Sequence, residues 1–325
     1  MTDQSLDFSI IIPVYNAEQT ISRCLNSIIR QTLSNFEVLI INDGSVDKSN
    51  EICSHYAKND ERFKLLNQKN AGPSIARNRG LDSAIGKYVV FIDSDDFVEP
   101  NFLECIKEAF LNSETEVLFM GYNCYSSQGE LVKQCIPNIN SQNYFETIVM
   151  LSDDDMLGYT WIKSFTRKVI GNIRFPENVN LFEDEIFTCK VLKKCTKINA
   201  VTKPLYNYIL GNESTLTNKM HQNYCELQDK VYTEWKKLFA SYSDYKRVVQ
   251  NRSKKMIITS IYYGFEKKLN PVLYFKKLSN CSFFVESNCD TFLTKCIKKH
   301  MWIIVLFIRS MYRTKLKIAS TLHHT

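Results

Sequence analysis

The stretch VVFIDSDDFVEP, residues 89–100, joins a run of apolar residues to a cluster of acids. The apolar run suits a buried strand, and three carboxylates, Asp93, Asp95 and Asp96, follow it directly. Like charges gathered at a strand end are unfavourable unless a positive group neutralises them. The sequence therefore predicts that a cation binds beyond this strand.

Three further apolar runs precede this one, separated by stretches with a helical pattern. They are FSIIIPVY (8–15), FEVLIIND (36–43) and FKLLNQ (63–68). Nearly continuous β-branched runs that alternate with helices predict a mainly parallel α/β sheet covered on both faces. In such sheets ligands bind beyond the carboxyl ends of the strands. We expect the polar residues after the four runs to line that edge, namely Asn16, Asp43, Asn70 and Asp93.

The composition is that of a globular chain with one large domain and an appendage. Of its 325 residues, 44% are hydrophobic and 23% charged. Glycine becomes scarce after residue 218, so we predict a first domain over 1–218 and a helical C-terminal region over 219–325. The 11 cysteines form no CxxC pair, the five histidines show no ligand spacing with them, and the start lacks the features of a signal peptide. These patterns predict reduced core cysteines in a cytoplasmic protein.

The net charge of +6 is concentrated in the last 35 residues, which contain seven Lys or Arg and no Asp or Glu. The rest of the chain holds 34 basic and 35 acidic residues, which argues against a nucleic-acid partner. The tail also contains MWIIVLFI (301–308), far shorter than the ~20 apolar residues of a bilayer span. It suits a helix that lies on an anionic membrane surface. A terminal helix packed on the domain is the alternative.

The loop after the first run, PVYNAEQT, contains no glycine, so the glycine-rich phosphate motifs are absent there. Asp93 and Asp95 offer another way to hold phosphate. Two carboxylates one residue apart can share a hard divalent cation, Mn²⁺ or Mg²⁺, and a diphosphate can supply further ligands. The alternative is that Asp95 or Asp96 caps a helix that begins near residue 99.

Three segments follow one another along the first half of the chain, IIPVYNAEQTISRCLNSI, LIINDGSVDKS and NQKNAGPSIARNRGLDSAIGKYVVFIDSDD. Together they resemble successive blocks of the family-2 glycosyltransferases. The resemblance covers roughly residues 7–215. It implies the Rossmann-like GT-A fold, to which the helical C-terminal region is an extension. It also implies inverting transfer from a nucleotide diphosphate sugar, usually a UDP-sugar, assisted by Mn²⁺ or Mg²⁺.

The resemblance assigns roles to the donor-side residues. Pro13 and Tyr15 match the turn that lines the nucleotide pocket, and Asp43 matches the aspartate that contacts the pyrimidine. Asn70, Gly72 and Arg77 match the segment that closes over the uridine and diphosphate. Asp93 and Ser94 match residues at the ribose or sugar, and Asp95 together with Asp93 matches the metal ligands. The residues alone leave two alternatives open, a plain Asp-Gly turn at Asp43 and a solvated helix position for Arg77.

A second acidic cluster, FEDEIF at 182–187, resembles the family's catalytic Glu-Asp motif. The resemblance implies that Asp184 is the general base and that Glu183 orients or contacts the acceptor. Acids are also favoured in the first turn of any helix, which is the alternative. Trp161 and Lys163 match the acceptor-side segment. A tryptophan face can stack on a sugar, although a buried core position explains it as well.

One position departs from the family pattern. Ile209 follows LYNY where related sequences usually carry an arginine near the diphosphate, and Lys219, His221 or Arg77 could compensate. We expect an inverting enzyme that moves a sugar from a UDP-sugar to a glycan or lipid-linked oligosaccharide in cell-surface polysaccharide synthesis, such as O-antigen or capsule. It would act as a peripheral protein on the inner face of the cell membrane.

Two other classes compete with this expectation. A nucleotidyltransferase would carry a glycine-rich basic loop after the first strand, and that loop is absent. A catalytically inactive sugar-binding or scaffold protein with the same fold stays open because of Ile209. Turnover by the purified protein separates this scaffold from an enzyme.

Overall fold

The computed structural model describes residues 6–139, 143–210, 220–267, 269–287, 292–299 and 301. The chain divides into two compact units, Met1–Leu216 and Thr217–Thr325. The predicted assignment of functions to a domain over 1–218 and a region over 219–325 stays a prediction.

Within the described residues, the first unit is built on a sheet of nine strands. They are β1 (Phe8–Val14), β2 (Phe36–Asp43), β3 (Phe63–Gln68), β4 (Tyr88–Phe91), β5 (Phe97–Val98), β6 (Val117–Tyr125), β7 (Leu131–Cys135), β8 (Lys163–Thr166) and β9 (Ile198–Ile209). Their order is β3-β2-β1-β4-β8-β6-β9-β5, and β7 pairs with β6. The first four strands of that order are parallel, as is β9 to β6, whereas β8, β5 and β7 run antiparallel to their neighbours. The predicted, mainly parallel α/β sheet is confirmed.

Seven helices and two 3₁₀ turns accompany this sheet in the described part of the first unit. They are α1 (Ile21–Ile29), α2 (Ser49–Asn59), α3 (Pro73–Ser83), α4 (Phe102–Leu111), α5 (Tyr144–Asp153), α6 (Arg167–Ile170), α7 (Glu183–Lys194) and the turns Met156–Gly158 and Thr160–Ile162. Helix α1 buries Ile21, Cys24, Leu25 and Ile28, the spacing of one helix face. Helix α3 begins with Pro73, whose missing N–H costs nothing at a first position.

The strand that precedes the acidic cluster is short. β4 is buried throughout and ends at Phe91, so the acids lie in a loop beyond it. The next helix, α4, follows Asn101, and neither Asp95 nor Asp96 caps it. The helix-cap alternative for these two acids is therefore wrong. The long strand β9 lies between β6 and β5 and brings its last residues to the acidic loop.

The second unit is helical in its described part, as expected. Its helices are α8 (Tyr224–Phe239), α9 (Tyr245–Glu266), α10 (Pro271–Asn280), α11 (Ser282–Val285) and α12 (Phe292–Lys298). Trp235, Tyr232 and Phe275 are among the side chains it buries. No helix among the described residues is long and apolar enough to cross a membrane. Apart from Met301, the predicted apolar stretch 301–308 and the tail after it lie outside the described residues.

Candidate active site

Arg77 on α3 is surrounded by three carboxylates from two distant parts of the chain. Its Nη2 lies 3.3 Å from Oδ1 of Asp93. Its Nη1 lies 3.1 Å from Oε1 of Glu183 and 3.0 Å from Oδ1 of Asp184. Only 7% of the arginine side chain is exposed, so the solvated position that its sequence context left open is excluded. The structure thus brings the predicted donor-side acid and the predicted catalytic pair to one point.

The backbone around Arg77 is fixed by its neighbour. The Asn78 side chain donates to the carbonyl of Phe175 at 3.0 Å and accepts from the Phe175 N–H at 2.8 Å. The Phe175 ring lies 5.4 Å from the Arg77 guanidinium and stacks on Phe187 of α7 at 4.0 Å. These contacts hold α3 and α7 together and fix the arginine against the acids at the start of α7.

The site carries more negative than positive charge. Burial, together with the charge of Asp184, raises the pKa of Glu183 to about 7 against the opposing effect of Arg77. Burial likewise raises the pKa of Asp93, where Arg77 opposes the shift and Asp95 adds to it. One guanidinium therefore does not balance this cluster, and a second cation would stabilise its ionised form.

A metal ion would have to draw on few protein ligands. Among the described residues, no group of three or more His, Cys, Asp or Glu side chains is arranged to hold one. Asp93, with 28% of its side chain exposed, and Asp95 supply carboxylate oxygens at one loop. Mg²⁺ is commonly held by one or two carboxylates plus substrate phosphates and water, and oxygen ligands also suit Mn²⁺. The residues present fit a cation that is shared with a bound diphosphate.

The third acid of the loop, Asp96, has a structural role. Its Oδ2 accepts from the Tyr206 hydroxyl at 2.8 Å, and its Oδ1 accepts from the Ile209 N–H at 3.0 Å. The same hydroxyl accepts from the Asp93 N–H at 3.1 Å. Burial, reinforced by the charges of Asp95 and Asp93, raises the pKa of Asp96 well above its usual value. Tyr206 and Asp96 therefore tie the acidic loop to β9.

Ile209 contributes to this tie through its backbone, which any residue other than proline provides. Of the residues that could compensate for the missing arginine, Arg77 lies in the site. Lys219 lies outside the described residues, and His221 belongs to the second unit, where its N–H donates to the Tyr263 hydroxyl at 2.6 Å.

On the donor side, Asp43 organises the loop before α3. It is buried at the end of β2 and accepts from the Ala71 and Gly72 N–H groups and from the Gln68 side chain, each at 2.8 Å. Gly72 has a φ of 90°, which favours glycine. A carboxylate has about four acceptor positions, so Asp43 retains capacity for a ring N–H.

The remaining predicted donor-side residues lie at the same edge of the sheet. Asn70 packs so closely on Gly44 that a Cβ at position 44 would lie 2.7 Å from the backbone nitrogen of Asn70. Pro13 belongs to β1, and Tyr15 follows it with an exposed ring. Ser94 lies between the two acids, partly exposed. None of these positions contradicts its predicted role, and none tests it.

Asp184 is held from a second direction by Thr160, which the sequence analysis missed. Its Oδ2 accepts from the Thr160 N–H at 3.2 Å and from the Thr160 hydroxyl at 3.0 Å. Thr160 is fully buried, and it opens the second 3₁₀ turn, next to Met156–Gly158, which packs on α7. A lone threonine before a tryptophan carries no sequence signal, since its partner lies 24 positions away.

The two predicted acceptor residues, Trp161 and Lys163, are both buried. Trp161 stacks on Tyr206 at 4.6 Å and on Tyr208 at 5.3 Å between ring centroids. Lys163 donates to the carbonyls of Leu157 and Tyr159, and burial lowers its pKa to about 7. The ring of Tyr159 packs on Trp161 at 5.1 Å between ring centroids, and the residue is 40% exposed. In this structure both predicted residues support the segment that presents Tyr159.

Comparisons with known proteins place this geometry in a family. Residues 9–173 match the model of glycosyl transferase family 2. The glycosyltransferase YibD of Escherichia coli (strain K12), itself uncharacterized, is 32% identical over 75% of this chain and 74% of its own length. The minor teichoic acid biosynthesis protein GgaB of Bacillus subtilis (strain 168) is 29% identical over 67% of this chain and 25% of its own. The chain spans less than two thirds of the length of most of the curated relatives that it matches.

The fold comparison agrees with the family model. The crystal structure of S. aureus TarS 1-349 in complex with UDP-GlcNAc matches 95% of this chain and 92% of that chain, with a TM-score of 0.73 and 20% identity. The two chains share a fold, and the predicted GT-A fold with a helical C-terminal region is confirmed. With half of its length matched by the family model, the chain belongs to glycosyl transferase family 2.

Proposed function

We propose that this protein transfers a sugar, with inversion, from a UDP-sugar to a hydroxyl of a glycan or lipid-linked saccharide during cell-surface polysaccharide synthesis. The observation that carries the proposal is the triple ion pairing of Arg77 with Asp93, Glu183 and Asp184. Through Arg77, Asp93, which is suited to hold a cation bound to the diphosphate, lies beside Glu183 and Asp184, which are suited to proton transfer. One site therefore contains groups for both halves of the reaction.

The donor half rests on Asp43, Arg77, Asp93 and Asp95. Asp43 would accept from the pyrimidine ring of the nucleotide, and the loop it orders would lie beside the diphosphate. A divalent cation, Mn²⁺ or Mg²⁺, held by Asp93 and Asp95 would supply charge stabilisation for the departing diphosphate. A UDP-sugar is supported by the shared fold with a protein solved in complex with UDP-GlcNAc.

The catalytic half rests on Asp184, with Glu183 beside it. Inversion requires one base that takes the proton from the acceptor hydroxyl as it attacks the anomeric carbon. Asp184 is the second residue of α7, with 13% of its side chain exposed, and Thr160 and Arg77 hold its two oxygens. We assign the base to Asp184 and an acceptor-orienting role to Glu183. Carboxylate charge nearby also favours an oxocarbenium-like transition state.

The acceptor side is assigned to Tyr159. An exposed aromatic face can pack on the C–H surface of a sugar, and Tyr159 directly precedes the residue that holds the base. The Trp161 ring packs against the Tyr159 ring, and Lys163 donates to the Tyr159 carbonyl. The relative named as a teichoic acid biosynthesis protein supports an acceptor of the cell-surface polymer class.

The C-terminal tail is assigned to a membrane surface on the cytoplasmic side. Basic side chains beside a short apolar stretch give the two signals that reversible binding to anionic lipid requires. Flotation with vesicles that contain phosphatidylglycerol tests this assignment. Full-length protein with Lys295, Lys298 and Lys299 replaced by glutamate should float less than the wild type, and equal flotation would refute the role of this tail.

A panel of UDP-sugars with Mn²⁺ or Mg²⁺ tests the enzyme itself. We expect the wild type to release UDP from one donor, and both Asp95→Ala and Asp184→Asn to lose at least 100-fold in rate, the scale of a transition-state contact. Asp82→Asn, an exposed acid on α3, is the matched control and should retain full activity. If the protein binds UDP but releases no UDP from any UDP-sugar, even with membrane lipid extract added as a source of acceptor, it would be an inactive binding protein.

A further inference from the structure

The carboxylate of Asp184 is held asymmetrically, and this asymmetry has a consequence for catalysis. Its Oδ2 takes two hydrogen bonds from one residue, Thr160, through the backbone N–H and the hydroxyl. Its Oδ1 lies 3.0 Å from Arg77 and accepts no hydrogen bond of good geometry from the described residues. A buried carboxylate oxygen with unused acceptor capacity is uncommon and costly, and such atoms often belong to functional groups.

Arg77 alone would hold Asp184 differently. A guanidinium favours two parallel bonds to both oxygens of one carboxylate. In that arrangement both oxygens of the base would be occupied, and less of Arg77 would face Asp93 and Glu183. In this structure Oδ2 is bound by Thr160, and Arg77 contacts the carboxylate at Oδ1.

The position of Thr160 suits this task. It begins a 3₁₀ turn, so its N–H lies at a turn start where backbone donors lack partners within the turn. The carbonyl before it, that of Tyr159, accepts from the buried Lys163, and Trp161 after it stacks on Tyr206 and Tyr208 of β9. Its hydrogen-bonding groups therefore have little freedom to turn away from Asp184.

We propose that Thr160 is a positioning residue for catalysis, whose N–H and hydroxyl hold Oδ2 of Asp184 and so fix the orientation of the base. The proposal rests on the proposed function, in which Asp184 is the base. The proton passes from the acceptor hydroxyl to Asp184 as the new glycosidic bond forms and the bond to the diphosphate breaks. Thr160 keeps its own proton throughout.

Two substitutions at this position separate orientation from packing. Thr160→Val keeps the shape and the N–H and removes the hydroxyl, whereas Thr160→Ser keeps the hydroxyl and removes a methyl group. Thr188→Val is the matched control, because Thr188 is also fully buried, lies on α7 one turn after Asp184, and its hydroxyl accepts or donates no hydrogen bond among the described residues.

The readout is UDP release from the active donor, resolved into kcat and the donor KM. We expect Thr160→Val to lower kcat about 10- to 100-fold, as for a misaligned catalytic group, with the donor KM unchanged within about two-fold. Thr160→Ser should keep at least half of the wild-type kcat, and Thr188→Val should resemble the wild type.

Several outcomes would overturn the proposal while leaving the proposed function intact. A wild-type kcat in Thr160→Val, or equal losses in Thr160→Ser and Thr160→Val, would show that the hydroxyl does not act. A matching rise in the donor KM would indicate a packing defect instead. Full activity of Asp184→Asn would instead overturn the assignment of the base, and no release by the wild type from any donor would overturn the proposed function.

Discussion

The hydroxyl of Tyr206 bridges the two ends of the acidic segment, because it donates to Oδ2 of Asp96 at 2.8 Å and accepts from the Asp93 N–H at 3.1 Å. The two partners, Tyr206 and Asp96, are 110 positions apart in sequence and both are fully buried. The geometry of the predicted metal-binding loop thus depends on a strand near the end of the first unit.

Tyr206→Phe should destabilise the protein and weaken donor binding together. The change removes the donor to a buried carboxylate and the acceptor of a backbone N–H, so we expect the free energy of unfolding to fall by about 1–3 kcal/mol. Urea unfolding measures this fall, and UDP titration with Mn²⁺ measures binding. Tyr208→Phe, two residues later on β9 and also stacked on Trp161, is the control. Equal stability of the two variants would contradict the role of Tyr206.

Arg77→Lys should lower turnover although it preserves the charge. The single nitrogen of an ammonium group cannot replace the two separate nitrogens by which Arg77 contacts Asp93 and the Glu183–Asp184 pair. We expect kcat for UDP release to fall on the order of 100-fold, the scale of losing a preorganised electrostatic contact. Arg79→Lys on the same helix, where the arginine donates to the Asn67 carbonyl at 2.7 Å, should stay near wild type. Similar losses in both variants would point to a general defect of α3.

Tyr159→Ala should impair use of the acceptor more than use of the donor. Loss of an aromatic contact worth about 0.5–1.5 kcal/mol should raise the acceptor KM roughly 2- to 13-fold, while UDP release in the absence of acceptor stays unchanged. Tyr159→Phe should retain acceptor binding. Tyr15→Ala, which changes an exposed residue on the donor side, should instead raise the donor KM and leave the acceptor KM unchanged. An unchanged acceptor KM in Tyr159→Ala would remove this residue from the acceptor side.

Lys163→Met should change how stability depends on pH. The pKa of Lys163 is lowered in the folded state to about 7 by burial, against the charges of Asp184 and Glu185, while the unfolded chain keeps the ordinary value. Between about pH 7 and 10.5 the unfolded state therefore binds more protons, and this group makes the free energy of unfolding rise with pH. The slope is at most about 1.4 kcal/mol per pH unit.

The comparison that checks this is urea unfolding of wild type and Lys163→Met at several pH values between 7 and 9. We expect the wild type to gain stability relative to the variant as the pH rises. Lys168→Met, at an exposed lysine of α6, is the control and should follow the wild type. A constant difference between wild type and Lys163→Met would show that the buried amine does not titrate in this range.

The sequence was informative where local pattern and function coincide. β-Branched runs predict β1, β2 and β4 because these strands are buried on both faces, and the polar residues at their carboxyl ends mark the edge where the site lies. Arg77, Asp93 and Asp184 could be named as well, since each lies in a motif of the family. Their mutual contacts were not predictable, because a motif does not specify the distance between its members.

The remaining features depend on long-range packing that has no local signature. Asp96 was expected to bind a cation or cap a helix, and its partners on β9 could not be inferred from DSDD alone. Trp161 and Lys163 have the residue types of a sugar-binding surface, yet Trp161 in the turn Thr160–Ile162 and Lys163 at the start of β8 are both buried. Thr160 stood out in no pattern, because a hydroxyl becomes significant only through the group it meets.

The insertion of β9 between β6 and β5 limits how members of this family can be recombined. A chimera that takes its acceptor-side half from a relative, with a junction after β6, would also import the residues equivalent to Glu183, Asp184 and Tyr206. Those residues must then fit the host's Arg77 and Asp96. The donor and acceptor halves of this protein are therefore not independent modules. A relative used for such a chimera should first be chosen for residues that fit the host's Arg77 and Asp96.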